Sequence, residues 1–559
     1  MTTPARLLAP ALWLIASAGL AQTDSAFPRI RSIVIEHKSV FGPEERLDEI
    51  PHVPDLTFIF RLANLLHIET KEEVIRRELL VHEGEFADPF LIAESERNLR
   101  ALPYIRQVKI LTSPAPEGQV DLHVLAQDTW TTQPRASFSS GGGSHRASFG
   151  IVEDNVLGYG KKIRLLYRSG IDRDSALFAY SDPRVLGSRW AAGGDYQDTS
   201  DGHVAEGILE YPFYSLDTPW SVRGGYSERR ERGKEFDHFG NETASFRRTQ
   251  EVTAPRIGAR LEMLSDADAV WRAGPFYRRN EETFSDLSPT TAPPTDLPVN
   301  QRQSEPGIFV HREVVDYVRE RHLNLFDKIE DLNLGNTFDA EMGYSWRELG
   351  ALIDEPILNA ADRQGFAFGE GRKAFLYTLV TGRYSDGDVR NAVAEVEGIS
   401  YYRFHWLYEH TLVSRVKLDL GRNLDRDVQI FLGNFNGLRG FDTRQFAGEK
   451  RFIFNLEDRL FFVNDLFHLV SLGAVVFFDS GYVWAPNQGV DFRRLATSAG
   501  IGLRVDALRG SGEALFRIDL AFPMTDGGSG QHGLGVTLGS GQAFEAFDGP
   551  FDLQSTSGP

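Results

Sequence analysis

Residues 414–421 of the chain read SRVKLDLG, and polar and apolar side chains alternate along this stretch. Successive side chains of a β-strand point to opposite sides, so an alternating segment predicts a strand with two different faces. One face would be charged and the other apolar: Arg415, Lys417 and Asp419 against Val416, Leu418 and Leu420.

The same alternation recurs from residue 133 to residue 544. Segments of this kind are separated by clusters of Asp, Asn, Gly and Pro, which favour turns. Such a series predicts an all-β structure made of many antiparallel strands. Examples are KIRLLYRS at 162–169, PWSVRGGYSERR at 219–230, VWRAGPFYRR at 270–279 and AVAEVEGISYY at 392–402.

Two architectures fit strands with one charged and one apolar face. A soluble sandwich buries the apolar faces between two sheets, whereas a membrane barrel turns them to lipid and keeps the charged faces in a wet lumen. Three features favour the barrel. The alternating region is very long, the chain contains 39 Phe, 17 Tyr and 8 Trp residues, and its first 21 residues have the pattern of an export signal.

Residues 1–21, MTTPARLLAPALWLIASAGLA, place Arg6 before a short apolar stretch that ends in small residues. This order is typical of a cleaved secretory signal peptide, although a membrane anchor is an alternative. After residue 21 no apolar run reaches the length of about 18 residues that a helical span needs. We therefore expect an exported protein that crosses a membrane, if at all, with strands.

Composition excludes some functions. The net charge of −19 is unfavourable for nucleic acid, which selects basic surfaces, so no nucleic-acid partner is predicted. The chain has no cysteine, and hence neither disulfides nor thiolate metal sites. Nucleophile, zinc-protease and phosphate-loop motifs are missing and the 14 histidines are scattered, so we predict no enzymatic activity, metal site or cofactor.

Residues 22–130 differ in pattern from the rest and predict a small α/β module. IRSIVIE at 30–36 predicts a strand, and Thr70 with Glu73 suggests a capping box that opens a helix. Asp88 and Pro89 predict the start of a second helix, and two further strands follow. The order strand, helix, helix, strand, strand resembles a POTRA domain, the periplasmic module of outer-membrane assembly and translocation proteins.

Two motifs near the C-terminus strengthen this resemblance. The stretch FNGLRGFDTRQFAG at 435–448 contains the tetrad Leu438, Arg439, Gly440 and Phe441, and FFDSG at 477–481 follows it in a predicted strand. Together with the N-terminal module, they resemble the bacterial surface antigen superfamily of outer-membrane barrels that includes BamA, TamA and FhaC. The resemblance implies one POTRA-like domain at 22–130, a 16-stranded barrel at 133–544 and a C-terminal tail at 545–559.

The resemblance also implies a site. Period two places Asp479 and Gly481 on the lumen face of one strand and Glu457 on the lumen face of its predicted neighbour. A loop that folds inward would bring Arg439 against the two carboxylates, which a planar guanidinium can bind together. The alternative is an ordinary surface hairpin with a solvated arginine.

A second predicted feature is the seam where the first and last strands close the barrel. RASFSSGGGS at 135–144 and HGLGVTLGSGQAF at 532–544 are rich in glycine and serine, which weaken strand pairing. A weak seam could accept an incoming strand; alternatively, the glycines serve curvature or fit beneath the inserted loop. The residues assigned to the seam are Phe138, Gly141, Gly535, Thr537, Gly539 and Phe544.

The resemblance implies an outer-membrane protein of Gram-negative bacteria with its N-terminal domain in the periplasm. Its function would be the insertion or translocation of other polypeptides, and its partners would be the lipid bilayer, unfolded or secreted polypeptides and periplasmic accessory proteins. A passive channel or structural barrel without assembly activity is the alternative. The segments 283–306 and 347–370, rich in Pro, Asp, Asn and Thr, are predicted to be extracellular.

Overall fold

The computed structural model describes residues 27–41, 60–61, 64–65, 67–141, 144–266, 268–289, 297–326, 328–511, 515–525 and 534–544. It consists of a small α/β module followed by a closed antiparallel β-barrel. The predicted signal peptide at 1–21 and the tail at 545–559 lie outside the described residues. Within the described ranges, none of the helices has the length and hydropathy of a membrane-crossing helix.

The module contains the elements expected from its sequence, in the expected order. Its sheet has the strand order β1-β3-β2, with β1 parallel and β2 antiparallel to β3. Both helices pack on this sheet around a core that includes Ile75, Leu99 and Val124. The elements are β1 (Ile30–Lys38), α1 (Glu72–Glu78), α2 (Pro89–Arg100), β2 (Ile105–Pro114) and β3 (Val120–Asp128).

The two predicted helix starts have different outcomes. Asp88 caps α2, since its side chain accepts a hydrogen bond from the Phe90 N–H. The capping box at Thr70 is wrong: α1 follows Lys71, which makes no side-chain capping bond, and Thr70 Oγ1 instead donates to Asp128 at 2.8 Å. The Thr70 hydroxyl binds a buried carboxylate on β3, far away in the sequence, instead of capping the helix. The local sequence gives no sign of this partner.

The barrel begins at Thr132 and its strands follow one another as antiparallel neighbours. Two short hairpins, β15 with β16 and β22 with β23, lie outside the barrel ladder. The strands are β4 (Thr132–Gly141), β5 (Ser144–Glu153), β6 (Lys162–Ser169), β7 (Asp174–Asp182), β8 (Ala191–Thr199), β9 (Gly202–Tyr211), β10 (Trp220–Phe236), β11 (Glu242–Thr253), β12 (Arg256–Arg260), β13 (Ala269–Pro289), β14 (Gln301–Val314), β15 (Tyr317–Glu320), β16 (Glu330–Asn333), β17 (Asn336–Ser345), β18 (Glu355–Ala367), β19 (Arg372–Ser385), β20 (Asp388–Trp406), β21 (Tyr408–Arg422), β22 (Ile430–Leu432), β23 (Phe446–Gly448), β24 (Lys450–Leu466), β25 (Val470–Trp484), β26 (Ala496–Ala507), β27 (Leu515–Pro523) and β28 (Gly535–Ser540).

Over the described residues the barrel has 20 strands, so the expected number of 16 is wrong. β11 and β12 both pair with β10 and with β13, and they form one strand interrupted at Ala254 and Pro255. Proline cannot donate to a strand ladder, which explains the interruption. The number 16 came from the resemblance; alternation identifies strands but does not fix how many of them close a barrel.

The two faces of the strands are distributed as predicted. Asp419 is 3% exposed and accepts a 2.7 Å hydrogen bond from Arg451 Nε, whereas Val416 is 44% and Leu420 40% exposed on the outer face. Charged side chains are therefore paired inside the barrel and apolar side chains cover its outside. The closed ladder excludes the sandwich considered from the sequence.

We call the end of the barrel that carries the module the proximal end and the opposite end the distal end. The β5–β6 turn contacts the module directly: Lys71 N–H donates to Gly158 O at 2.9 Å, and Asn155 Nδ2 donates to Thr70 Oγ1 at 2.8 Å. A Cβ on Gly158 would lie 2.3 Å from Glu69 O, so only glycine permits this approach.

Asp128, the last residue of β3, organises this junction. It is fully buried, and His37 Nε2 and His67 Nε2 lie 2.7 and 2.8 Å from its carboxylate oxygens. Burial alone would raise the pKa of Asp128, but the hydrogen bonds from the two imidazoles outweigh it and hold the pKa below its ordinary value. The module thus meets the barrel through a satisfied polar cluster.

The segments predicted to be extracellular are only partly loops. β13 continues to Pro289 and β14 begins at Gln301, so residues 283–289 and 301–306 belong to strands. In 347–370, only the first residues form a distal loop before β18 begins at Glu355. Pro, Asp and Asn are tolerated on these strands, and composition therefore overestimated the loops.

Candidate functional site in the barrel lumen

Residues 423–449, between β21 and β24, form a loop that folds into the barrel, and we call it the inward loop. It carries β22 and β23 and buries Leu438 completely, and Phe441 to 4% exposure. Its apolar side chains pack with residues of the wall in one cluster: Leu432, Leu438, Phe441 and Phe446 with Ile453, Tyr482, Val483, Trp484 and Ala496. The loop is therefore part of the barrel interior and not a surface hairpin.

Arg439 lies at the centre of this loop and binds two wall carboxylates. Its Nε and Nη2 donate to the two oxygens of Asp479 at 2.7 and 2.8 Å, and its Nη1 donates to Glu457 Oε1 at 2.7 Å. The Arg439 backbone N–H also donates to Asp479 at 3.2 Å. Both carboxylates are fully buried and Arg439 is 5% exposed, so the structure brings together the three residues that the sequence analysis grouped.

Further wall residues complete the surroundings of the guanidinium. The Phe477 ring lies under it, with Cζ 3.5 Å from the ring centroid. Asp519 Oδ2 is 3.6 Å from Arg439 Nη1, and Asn455 Nδ2 donates to Asp479 Oδ1 at 2.8 Å. Arg439 thus has an aromatic ring on one face and carboxylates along its edge.

Glycines allow the inward loop to lie close to the barrel wall. Gly437 and Gly440 have φ of 111° and 87°, in the left-handed region that L side chains rarely adopt. A Cβ on Gly481 would lie 2.9 Å from Leu432 Cδ2, so this wall glycine leaves room for the inward loop.

The seam between β28 and β4 is short. Among the residues that the structure describes, its ladder contains three pairs, Val536–Ser140, Thr537–Ser139 and Leu538–Phe138. Gly535 and Gly539 belong to β28 and pair with β27.

Two residues assigned to the seam lie elsewhere. Gly141 pairs with Ser144 in the β4–β5 hairpin. The last strand ends at Ser540, and Phe544 turns into the lumen, where it packs with Leu323 and Val413. The alternating sequence pattern at 532–544 gives no sign that the chain leaves the sheet after Ser540.

The inward loop contacts both strands of the seam. Asn434 Nδ2 lies 2.8 Å from Ser139 Oγ on β4 and 3.4 Å from Thr537 Oγ1 on β28. The same side chain accepts the Gly440 N–H at 3.1 Å. One asparagine thus connects the arginine tetrad to the two strands that close the barrel.

Replacing Gly535 with alanine should disturb this contact. Its Cβ would lie 2.6 Å from Gly440 Cα, a backbone atom that cannot move without displacing Arg439. We expect a loss of about 1–3 kcal/mol of barrel stability, as for overpacked interiors, measured by urea unfolding in detergent micelles. Gly539→Ala, on the same strand, is the matched control, because its nearest neighbour is the flexible Arg517 side chain at 3.3 Å. Equal effects of the two substitutions would contradict the proposed steric contact.

A second segment enters the lumen from the proximal end. The described residues between β14 and β17, 315–326 and 328–335, form the β15–β16 hairpin and a connecting loop, which we call the proximal insert. Leu323 and Phe326 are each 1% exposed, and Phe326 packs on the Phe461 ring at 4.8 Å. The Glu330 carboxylate accepts the N–H groups of residues 323–325 at 3.0 to 3.2 Å and so fixes the loop.

Arg459 joins the proximal insert to the inward loop. Its Nη1 donates to Leu323 O and Asn324 Oδ1 at 3.0 and 2.9 Å, while its Nε donates to Glu457 Oε2 at 3.0 Å. The other oxygen of Glu457 accepts from Arg439. Glu457 therefore bridges the arginines that hold the two lumen segments.

The proximal insert is also tied to the module. Arg100 of α2 donates through Nε and Nη2 to Asp331 at 2.7 and 2.8 Å, and Arg319 donates to Glu96 at 2.8 Å. Polar contacts thus run from the module through the insert, Arg459 and Glu457 to the inward loop at the seam.

Part of this network follows from the sequence. Period two predicts that Asn455 and Arg459 share the lumen face with Glu457, and the structure shows which partners they bind. Asp519 alternates in the same manner but was not predicted. Asn434 lies in a loop without periodicity, and no sequence signal identified it.

Comparison with known proteins supports a relationship for part of the chain. Residues 370–544 match the Omp85 superfamily domain. No match is found among curated proteins. Similar solved structures include BamA from Haemophilus ducreyi lacking POTRA domains 1–3, with 12% identity over 92% of this chain and 84% of that chain and a TM-score of 0.36. CdiB from Acinetobacter baumannii gives 12% identity over 92% and 74% of the two chains and a TM-score of 0.42. CdiB from Escherichia coli gives 11% over 95% and 93%, with a TM-score of 0.42.

Proposed function

We propose that the protein inserts or translocates polypeptides at the bacterial outer membrane, because residues 370–544 match the Omp85 superfamily domain. In this proposal residues 22–130 act as a POTRA-like domain in the periplasm. Substrate strands reach the module first and the barrel seam next. The proposal involves no chemical step, cofactor or metal.

One observation carries the proposal: the short β28–β4 seam is held from inside by the inward loop through Asn434. Three pairs form a weak ladder, and opening it exposes backbone N–H and C=O groups that can pair with an incoming strand. Release of a single loop would therefore open the barrel at one place. The module offers further strand edges, because β1 and β2 are both edge strands of its sheet.

The passive channel considered from the sequence is less well supported. The inward loop and the proximal insert bring buried apolar side chains, Leu438 and Phe326 among them, into the lumen. Both segments obstruct the lumen and are joined to each other through Glu457, which is unfavourable for free diffusion through the barrel.

A disulfide across the seam should block the activity. Ser139→Cys with Thr537→Cys places the two thiols at paired positions whose side-chain oxygens now lie 3.3 Å apart. Oxidation should abolish insertion of a test barrel into proteoliposomes that contain the protein, and reduction should restore it. The two substitutions also remove the hydroxyls that Asn434 contacts. The activity of the reduced variant measures the effect of that loss without the disulfide.

A matched disulfide on the other side of β4 serves as the control. Ser137 and Ser148 are paired between β4 and β5, with their oxygens 2.6 Å apart, and Ser137→Cys with Ser148→Cys should retain activity when oxidised. Full activity of the quantitatively cross-linked seam variant would refute opening at the seam. Inactivity of both oxidised and both reduced proteins would instead count against the insertion function itself.

A further inference from the structure

The turns at the proximal end contain an unusual backbone feature. Leu157, Leu186 and Leu407 adopt φ of 54°, 51° and 62°, in the left-handed region. This conformation is unfavourable for an L residue, and bulky residues seldom adopt it. The three side chains are 61%, 98% and 77% exposed, so packing within the described chain does not compensate for the strain.

The distal turns follow the ordinary rule. Asp386, Asn423 and Asn487 have φ of 53°, 48° and 64°, and Asn and Asp are the side chains best suited to this conformation. Three proximal turns thus place leucine where these distal turns place a polar residue, while His322, Asp465 and His468 at the proximal end are polar residues with the same conformation. Phe467 is a fourth apolar case at the proximal end, with φ 57° and 37% exposure, but Asp465 and His468 beside it share the conformation, so the inference is based on the leucines.

The surroundings of the leucines indicate what they contact. Leu407 lies between Trp406, 73% exposed, and Tyr408, 43% exposed, and Tyr159 follows Leu157 by two residues with 43% exposure. Trp190, just after the turn of Leu186, packs edge-on against the Tyr211 ring at 5.8 Å. Exposed Trp and Tyr at the rim of a barrel are typical of the boundary between lipid and water.

The leucines also continue the outer apolar surface of the strands. Phe178 and Tyr180 of β7, which leads into the turn of Leu186, are 50% and 36% exposed. Exposed apolar side chains are thus found both on the outer face of this strand and at the tip of the turn that follows it.

We propose that Leu157, Leu186 and Leu407 insert into the surrounding lipid leaflet and anchor the proximal rim at the boundary between glycerol and acyl chains. Removing these apolar side chains from water into lipid is favourable and offsets the backbone strain. The inference rests on the barrel being in a membrane, as in the proposed function, but not on polypeptide insertion.

The anchor would also set the position of the module. The turn of Leu157 holds Lys71 through Gly158, and the turn of Leu186 holds the module through Arg184, which pairs with Glu78 at 2.5 Å. A Cβ on Gly187 would lie 2.7 Å from the Arg77 guanidinium, so this turn too is shaped for the module. Because these turns contact the module and, in this proposal, also enter the leaflet, they would fix the distance between the module and the membrane surface.

The test uses the absence of native cysteine. Leu157→Cys, Leu186→Cys and Leu407→Cys, each labelled with bimane in the full chain, are reconstituted into phosphatidylcholine vesicles. Lipid brominated near the glycerol end of the acyl chains should quench all three labels, and aqueous iodide should have little effect. Quenching by iodide and not by brominated lipid would overturn the inference and show that the tips face water or a protein partner.

Two control positions distinguish a failure of the leucine anchor from a failure of its premise, which is that the barrel lies in a membrane. Val476→Cys lies on the outer face of β25, where Val476 is 56% exposed, and should be quenched by brominated lipid. Glu117→Cys, a left-handed residue of the module, should be quenched only by iodide. If Val476 is quenched and the leucine positions are not, the anchor is wrong and the membrane barrel stands. If Val476 is not quenched, both fail, and neither result depends on the insertion assay.

Discussion

Arg439→Ala should destabilise the barrel by about 3–5 kcal/mol, the loss typical of breaking a buried ion pair. The substitution leaves Asp479 and Glu457, both fully buried, without the cation that binds them. It also removes the group that stacks on Phe477. Urea unfolding in detergent micelles, followed by tryptophan fluorescence and by the heat-induced mobility shift, measures the change.

Three further variants show whether the loss comes from the shared contact. Arg439→Lys should recover only part of the stability, because an ammonium lacks the planar fork that serves two carboxylates. Arg439→Ala combined with Asp479→Ala should be less damaged than the sum of the single variants, by about 0.5–3 kcal/mol. Arg493→Ala, in a distal loop where Arg493 is 91% exposed, should change nothing measurable. Simple additivity of the two lumen variants would refute the paired site.

The grouping of Arg439, Glu457 and Asp479 was predictable because two independent signals agree. Period two places both carboxylates on lumen faces, and the tetrad resembles a known inserted loop. What the sequence could not give is the position of Asn434, whose contacts with Ser139 and Thr537 depend on the three-dimensional path of the loop.

The barrel was predictable as a class but not in its size. Alternation marks strands reliably because one face is apolar and the other is charged. The segment that matches the Omp85 superfamily domain, residues 370–544, contains eight of the barrel strands, β19–β21 and β24–β28. The remaining strands lie outside it, so the family resemblance could not specify their number.

The proximal insert was missed for a physical reason. The sequence EDLNLG at 330–335 predicts, from its pattern alone, only a strand followed by a turn. In the structure Glu330 is a buried anchor for the backbone of residues 323–325, and Asp331 binds Arg100 of the module. Both roles depend on partners brought near by folding, and a charged residue in a short strand gives no sign of burial.

Removing residues 319–331, with a short Gly-Ser linker in their place, should raise the single-channel conductance of the protein several-fold in planar bilayers. The insert fills the lumen with Leu323 and Phe326, each 1% exposed. Barrels of 16–18 strands leave an aqueous channel, and a barrel of 20 strands without this segment would be wider. Shortening the distal loop at 487–490 is the control and should leave the conductance unchanged.

The deletion also removes Asn324, which Arg459 binds, so a milder variant guards against a folding defect. Leu323→Ser with Phe326→Ser keeps the Arg459 contacts with Leu323 O and Asn324 Oδ1, and should give frequent openings instead of a permanently wide pore. If the conductance equals that of the parent in both variants, while the barrel still shows its heat-induced mobility shift, the insert does not obstruct the lumen. A higher conductance of both variants would mean that the proximal insert closes the pore. The same segment binds the module through Arg100 and Asp331, so the state of the pore would be linked to the module that we propose receives the substrate.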